Sequence, residues 1–140
     1  MRNKVLNLIE SSSVYDVAIK TPCDKMPLLS KKYGHHIFLK REDLQPVFSF
    51  KLRGAYNKIA NLNPKDQKKG IVAASAGNHA QGVALSAKTL GLDAIIVMPK
   101  TTPSIKTDAV KKYGAKGILH GDDYDTASEY ANNLSKSKNL

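Results

Sequence analysis

From residue 71 onward the apolar positions repeat a rhythm of a short unbroken run, a turn signal, and then apolar residues at three- and four-residue spacing. Ile71-Val72-Ala73-Ala74-Ser75 reads as a strand, and the helix after it carries Ala80, Val83, Ala84, Ala87 and Leu90 on one face before Gly91 ends it. Ala94-Ile95-Ile96-Val97-Met98 is a second strand. Its helix follows Thr101-Thr102-Pro103, where threonine is a capping residue and proline suits a first turn, and is expected to bury Ile105, Ala109, Val110 and Tyr113 before Gly114. A short third strand, Ala115 to Leu119, leads to a helix with Tyr124, Ala127, Ala131 and Leu134 on its inner face. Unbroken apolar strands separated by helices predict an α/β fold, a parallel sheet with helices on both faces and right-handed crossovers.

Upstream, His36-Ile37-Phe38-Leu39-Lys40 reads as a further strand. Ser49 is placed to cap a helix whose inner face is Leu52, Ala55, Tyr56, Ile59 and Leu62. Residues 63–70, Asn-Pro-Lys-Asp-Gln-Lys-Lys-Gly, form a polar linker between the two parts. A three-stranded parallel sheet leaves unpaired backbone at its edges, so the polar tail Ser135–Leu140 is expected to close a part of a domain rather than a whole one.

Composition narrows the class. With 41% hydrophobic and 24% charged residues the chain is of the soluble globular type, and no stretch approaches the roughly 20 apolar residues of a membrane span. Met1 to Asn7 lacks the apolar run of a signal peptide, which makes the cytoplasm the expected location and a membrane partner unexpected. Cys23 is the only cysteine, so no internal disulfide forms. The net charge of +10 is uneven, with 14 basic and 6 acidic side chains in residues 1–70 against 8 and 6 in residues 71–140. The lysines come singly or in pairs, with no basic run interleaved with aromatics, which favours solvated faces over a nucleic-acid surface.

Two places combine residue types that chemistry needs. In Pro46-Val47-Phe48-Ser49-Phe50-Lys51-Leu52-Arg53-Gly54-Ala55 a lysine opens a helix directly after two aromatics. The positive end of the helix and an apolar surrounding would both disfavour its ammonium form, as Schiff-base chemistry requires; the local pattern alone favours a surface lysine at a helix start. In Ser75-Ala76-Gly77-Asn78-His79-Ala80-Gln81-Gly82 the first strand turns into its helix, where an open α/β sheet binds ligands and free N–H groups face an anion. A polar cap on a structural helix is the plainer alternative. No two glycines are separated by a single residue, which removes the dinucleotide fingerprint, and a Walker A loop is also absent. His35, His36, His79 and His120 have no carboxylates at metal-ligand spacing, so no metal is expected.

Taken together, Lys40-Arg41-Glu42-Asp43-Leu44-Gln45, Ser49-Phe50-Lys51-Leu52-Arg53-Gly54-Ala55 and Ser75-Ala76-Gly77-Asn78-His79-Ala80-Gln81-Gly82 closely resemble the biosynthetic threonine dehydratases, and the match runs through essentially all 140 residues. Cysteine synthases put an acidic residue where this chain has Leu52, and serine racemases resemble Ser-Ser-Gly-Asn where it has Ser75-Ala76. The second serine of that racemase motif supplies a proton on the opposite face of the cofactor, so Ala76 favours elimination.

The resemblance implies the tryptophan synthase β-like fold and pyridoxal 5'-phosphate as cofactor. Residues 1–65 would contribute to the larger subdomain and 66–140 form the small α/β subdomain. Lys51 would hold the cofactor and then remove the substrate α-proton; Phe50 would pack near the pyridine ring; Asn78 would hydrogen-bond its phenolic oxygen. Ser75, Ala76, Gly77, Asn78 and His79 would close over the carboxylate of L-threonine, or of L-serine. Loss of the β-hydroxyl leads to 2-oxobutanoate and ammonia, the entry to isoleucine synthesis. A homo-oligomer is implied for the full-length form. The family's glycine-rich phosphate loop, its residue facing the pyridine nitrogen and its regulatory domain follow the matched region, so these 140 residues are expected to be an N-terminal part without turnover of its own. A catabolic threonine or serine dehydratase, a basic nucleic-acid-binding module and a non-catalytic remnant are the other readings.

Overall fold

The computed structural model describes residues 2–140. Three parallel strands, β3 (Ile71–Ala74), β4 (Ala94–Met98) and β5 (Lys116–Leu119), form a sheet in the order β3-β4-β5. Ile71 pairs with Ala94 and Ile95 with Lys116. Central β4 is almost wholly buried, which is why its five positions are apolar without alternation.

Helices cover both faces. On one, α5 (Asn78–Thr89) and α6 (Ser104–Lys112) enclose a core in which Ala80, Val83 and Ala84 meet Ile96, Met98 and Val110. On the other, Ala127 and Ala131 of α7 (Tyr124–Lys138) pack on Val97, Val72 and Ala74. Asp123 caps α7, its carboxylate accepting from the Thr126 amide at 2.8 Å. The strand–helix rhythm is therefore that expected from the apolar pattern, and α5 and α6 end just before Gly91 and Gly114.

Several local expectations are corrected. Ile105 is 77% exposed and Tyr124 is 58% exposed; the buried residues are Thr107 and Val110 in α6 and Ala127 and Ala131 in α7. Thr101 does not cap α6; Pro103 sits at that position with extended backbone. The strand expected from His36 is only Phe38–Lys40 (β2), and it pairs antiparallel with β1 (Cys23–Lys25), separate from the main sheet. The linker holds a one-turn helix, α4 (Pro64–Gln67), capped by Asn63 through the Asp66 amide at 2.9 Å. Also beyond the apolar pattern are α1 (Arg2–Glu10), α2 (Pro27–Tyr33) and the 3-10 turns Ser13–Asp16 and Glu42–Leu44.

Helix α3 (Lys51–Ala60) buries Leu52, Ala55, Tyr56 and Ile59, and its Ala55 and Ile59 join the core beside α5. The packing is close enough that a Cβ on Gly82 of α5 would lie 3.3 Å from the Leu52 nitrogen and 3.4 Å from the Lys51 carbonyl carbon. That contact brings the start of α3 against the first turns of α5.

Candidate functional site

Lys51 is the first residue of α3, with Phe50 preceding it at the cap position. Phe50 makes no side-chain cap; the Ser49 hydroxyl two residues before the lysine accepts the Lys51 amide at 3.2 Å. The enclosure expected around the lysine is not formed by these residues. Lys51 is exposed, its ammonium nitrogen lies 5.4 Å from the centroid of the Phe50 ring, and that ring is 59% exposed. The alternation along the approach explains this, since Val47 and Ser49 point inward and Phe48 and Phe50 outward. Phe48 takes φ +54, a left-handed conformation that a non-glycine residue adopts only when its surroundings impose it.

Across the helix contact, β3 ends at Ala74 and the chain turns through Ser75, Ala76 and Gly77 into α5. The Ser75 amide still pairs with the Val97 carbonyl at 3.0 Å, and the Ser75 hydroxyl accepts the Gly77 amide at 3.3 Å, so the loop is braced by its own groups. Ala76 is partly buried against the main core. Gly77 has extended backbone, and a Cβ built on it would meet nothing within 4 Å, so neither φ nor internal packing demands glycine there. Open space in front of that backbone suits the approach of a ligand. Asn78 and His79, in the first turn of α5, are exposed, and no side chain caps that helix. Its leading N–H groups remain available to an anion.

The two halves interact electrically. Although His79 is exposed at the surface, neighbouring atoms cover part of its ring, and this partial desolvation, followed by the positive charge of Lys51, pushes the imidazole below its ordinary range and so toward the neutral form near pH 7. Lys51, Phe50 and the Ser75–His79 loop thus occupy one region at the heads of α3 and α5. A groove of about 440 Å³ lined by Val5, Leu8, Ile9, Tyr15, Arg53 and Asn57 contains none of these groups.

The lysine segment is held by polar contacts that the apolar pattern does not reveal. Glu42, in the 3-10 turn Glu42–Leu44, accepts from Arg53 Nε at 2.8 Å and Arg53 Nη2 at 3.0 Å, from the Thr21 hydroxyl at 2.6 Å and from Gln45 Nε2 at 3.2 Å. Its carboxyl is held down at about 2, chiefly by the Arg53 guanidinium, with Thr21 and Gln45 adding to the shift and desolvation opposing it. Gln45, 1% exposed, also exchanges two hydrogen bonds with the Ile19 backbone, at 3.0 and 2.9 Å. Tyr113 donates from its hydroxyl to the Pro46 carbonyl at 2.9 Å, tying the end of α6 to the same segment. Glu42, Gln45 and Arg53 lie within the motifs that carry the family resemblance; Thr21, 21 residues from Glu42, carries no local signal.

The sequence pattern of the family described as "Pyridoxal-phosphate dependent enzyme" matches residues 14–140. The chain is 58% identical over 133 residues to "Threonine dehydratase 1 biosynthetic, chloroplastic" of Solanum lycopersicum, covering 95% of this chain and 22% of that protein. It is 57% identical over 135 residues to "L-threonine dehydratase biosynthetic IlvA" of Pasteurella multocida, covering 96% and 26%. Among solved structures, the processed form of threonine deaminase isoform 2 from Solanum lycopersicum superposes with a TM-score of 0.93 at 50% identity, over 98% of this chain and 40% of that one. The chain thus spans about a quarter of the length of the curated relatives it matches.

Proposed function

The chain belongs to the pyridoxal-phosphate dependent enzyme family, and from that premise we propose that it supplies the lysine and the asparagine loop of a threonine ammonia-lyase, converting L-threonine to 2-oxobutanoate and ammonia. The observation that carries this reading is the backbone contact of Gly82 with Lys51 and Leu52, which sets the exposed lysine beside the head of α5. The donor set fits the cofactor: an accessible amine, an exposed aromatic ring under it, an exposed amide at Asn78, and a helix start without a cap.

In this reading Lys51, Phe50 and Asn78 hold the cofactor, and Ser75, Ala76, Gly77, Asn78 and His79 meet the substrate. When bound, the cofactor supplies an electron sink for the charge that develops at the substrate α-carbon. The Lys51 amine accepts the α-proton. The uncapped N–H groups of α5 orient the substrate carboxylate through partial positive charge. Neutral His79 adds no second cation to that anion site. Ala76 has no hydroxyl to return a proton from the opposite face, which favours loss of the β-hydroxyl over racemisation.

The division at 65/66 into part of a larger subdomain and a small subdomain, a role in isoleucine biosynthesis, a cytoplasmic location and a homo-oligomeric full-length form belong to the same proposal. The relatives are about four times as long as the matched region, so the proposal concerns the lysine and the asparagine loop, and the turnover belongs to the whole protein. The test is borohydride reduction with pyridoxal phosphate followed by peptide mapping, together with a 2-oxobutanoate assay in the full-length protein. The pyridoxyl group is expected on Lys51, and Lys51→Ala is expected to abolish both labelling and turnover. Turnover retained in Lys51→Ala removes the assignment.

A further inference from the structure

The contacts around Glu42 form a closed figure. Its carboxylate accepts four hydrogen bonds from three residues, and the two from Arg53 are the parallel pair that a guanidinium fork makes with a carboxylate. Arg53 is the third residue of α3, so the ion pair closes a loop from the 3-10 turn to the first turn of the helix, and Lys51 lies inside it. Within that loop Gln45 is fixed to Ile19, the Gln45 carbonyl accepts the Phe48 amide at 2.7 Å, and Phe48 is held at φ +54. Ser49, the next residue, is buried and accepts the Lys51 amide.

We propose that Glu42 is a positioning residue for Lys51: its four-bonded carboxylate clamps α3 by Arg53 and the approach segment by Gln45, fixing where the lysine leaves the helix. The inference rests on the reading of Lys51 as the cofactor lysine. The chemistry suits a clamp rather than mere adhesion. A partly buried ion pair adds little net stability over apolar contacts of the same volume, because desolvation offsets the attraction, yet its geometry is far more restrictive. Lys51 itself is exposed and receives no comparable side-chain restraint from Phe50, so its position depends on the backbone that carries it. Since Glu42 stays ionised well below neutrality, the clamp holds throughout any practical assay range.

Glu42→Gln and Arg53→Lys in the protein test this by two readouts. The first is amide hydrogen exchange. Glu42→Gln is expected to speed exchange between Gln45 and Arg53 on the order of ten-fold, while the amides of β4 keep their wild-type rates. The second is the rate at which borohydride traps pyridoxal phosphate on Lys51, expected to fall by a similar order of about ten-fold. Arg53→Lys, which keeps the charge but not the fork, should lie between wild type and Glu42→Gln in both. Unchanged exchange in the segment, an equal rise in β4, or unchanged trapping on Lys51 despite a loosened segment each overturns the proposal. If the wild-type protein is trapped on another lysine, the reading of Lys51 and its positioning by Glu42 fall together, while exchange still reports whether Glu42 clamps the segment.

Discussion

A methyl group on Gly82 would lie 3.3 Å from both the amide nitrogen and the Cα of Leu52, so α5 and α3 meet backbone to backbone immediately beside Lys51. Backbone yields less readily than the end of a flexible side chain. Gly82→Ala should therefore push the two helices apart by a few tenths of an ångström. Overpacking costs about 1–3 kcal/mol and the helix-propensity gain returns up to about 1, so a net loss of about 1 kcal/mol is expected. Urea unfolding checks this; a midpoint equal to or above wild type would mean that the helices separate freely and that the contact does not fix their spacing.

Glu42 links the clamp to acid stability. Its folded-state carboxyl titrates at about 2, below the ordinary value of 4.5 expected when unfolded, so the folded form binds protons less readily. Measured against the protonated carboxyl rather than against apolar contacts in its place, the contribution is complete above about pH 4.5 and is lost as pH falls toward 2, with a size on the order of 3 kcal/mol. Glu42→Gln is expected to lower stability at pH 7 and to flatten the acid limb between pH 4.5 and 2. Thermal melts across that window decide the matter, and an acid limb as steep as wild type would place the dependence on other carboxylates.

The sheet was legible because β4 must be apolar on both faces and because α5, α6 and α7 repeat their small apolar residues at helical spacing. Ile105 and Tyr124 misled for a related reason: a single large apolar residue at the start of a helix fits the periodicity even when its side chain stays exposed. The positions of Lys51 and Asn78 at the heads of α3 and α5 followed from the strand-to-helix turn and the apolar face of α3. Their proximity did not, since it depends on Gly82, whose contact with Leu52 crosses 30 positions of sequence. The Glu42 clamp was hidden in the same way. Two of its partners are polar residues in recognisable motifs, but the pairing needs Thr21 and the fold of β1 against β2.

Phe48 carries strain that substitution can release. Its φ of +54 costs a side-chain-bearing residue about 1–3 kcal/mol, and the ring, 75% exposed, has little burial to lose. Glycine accepts that conformation without steric cost but gives up roughly 0.5–1 kcal/mol of chain entropy. Phe48→Gly should therefore leave stability equal to wild type or raise it by up to about 2 kcal/mol. A clear loss of stability in denaturant unfolding would show that the Phe48 ring makes a packing contribution that its exposure conceals.

Asn78 separates a ligand-binding amide from a merely structural helix start. The residue is exposed in the first turn of α5, and the loop before it is braced by Ser75 and by the Val97 carbonyl rather than by the Asn78 side chain. Asn78→Ala should leave the melting temperature close to wild type, because no buried surface is removed and alanine is at home in a helix. Pyridoxal phosphate binding should nevertheless weaken by about 1.5–3 kcal/mol, the loss expected when a hydrogen bond to a charged oxygen disappears. Asn78→Asp, of nearly the same size but negatively charged, should bind more weakly still, since it sets an anion against both the phenolic oxygen and the substrate carboxylate. Equilibrium titration of cofactor absorbance, run beside thermal melts of the same proteins, checks each part. Wild-type affinity in Asn78→Ala, or a fall in stability that accounts for the whole loss of binding, would return Asn78 to the role of an ordinary first-turn residue.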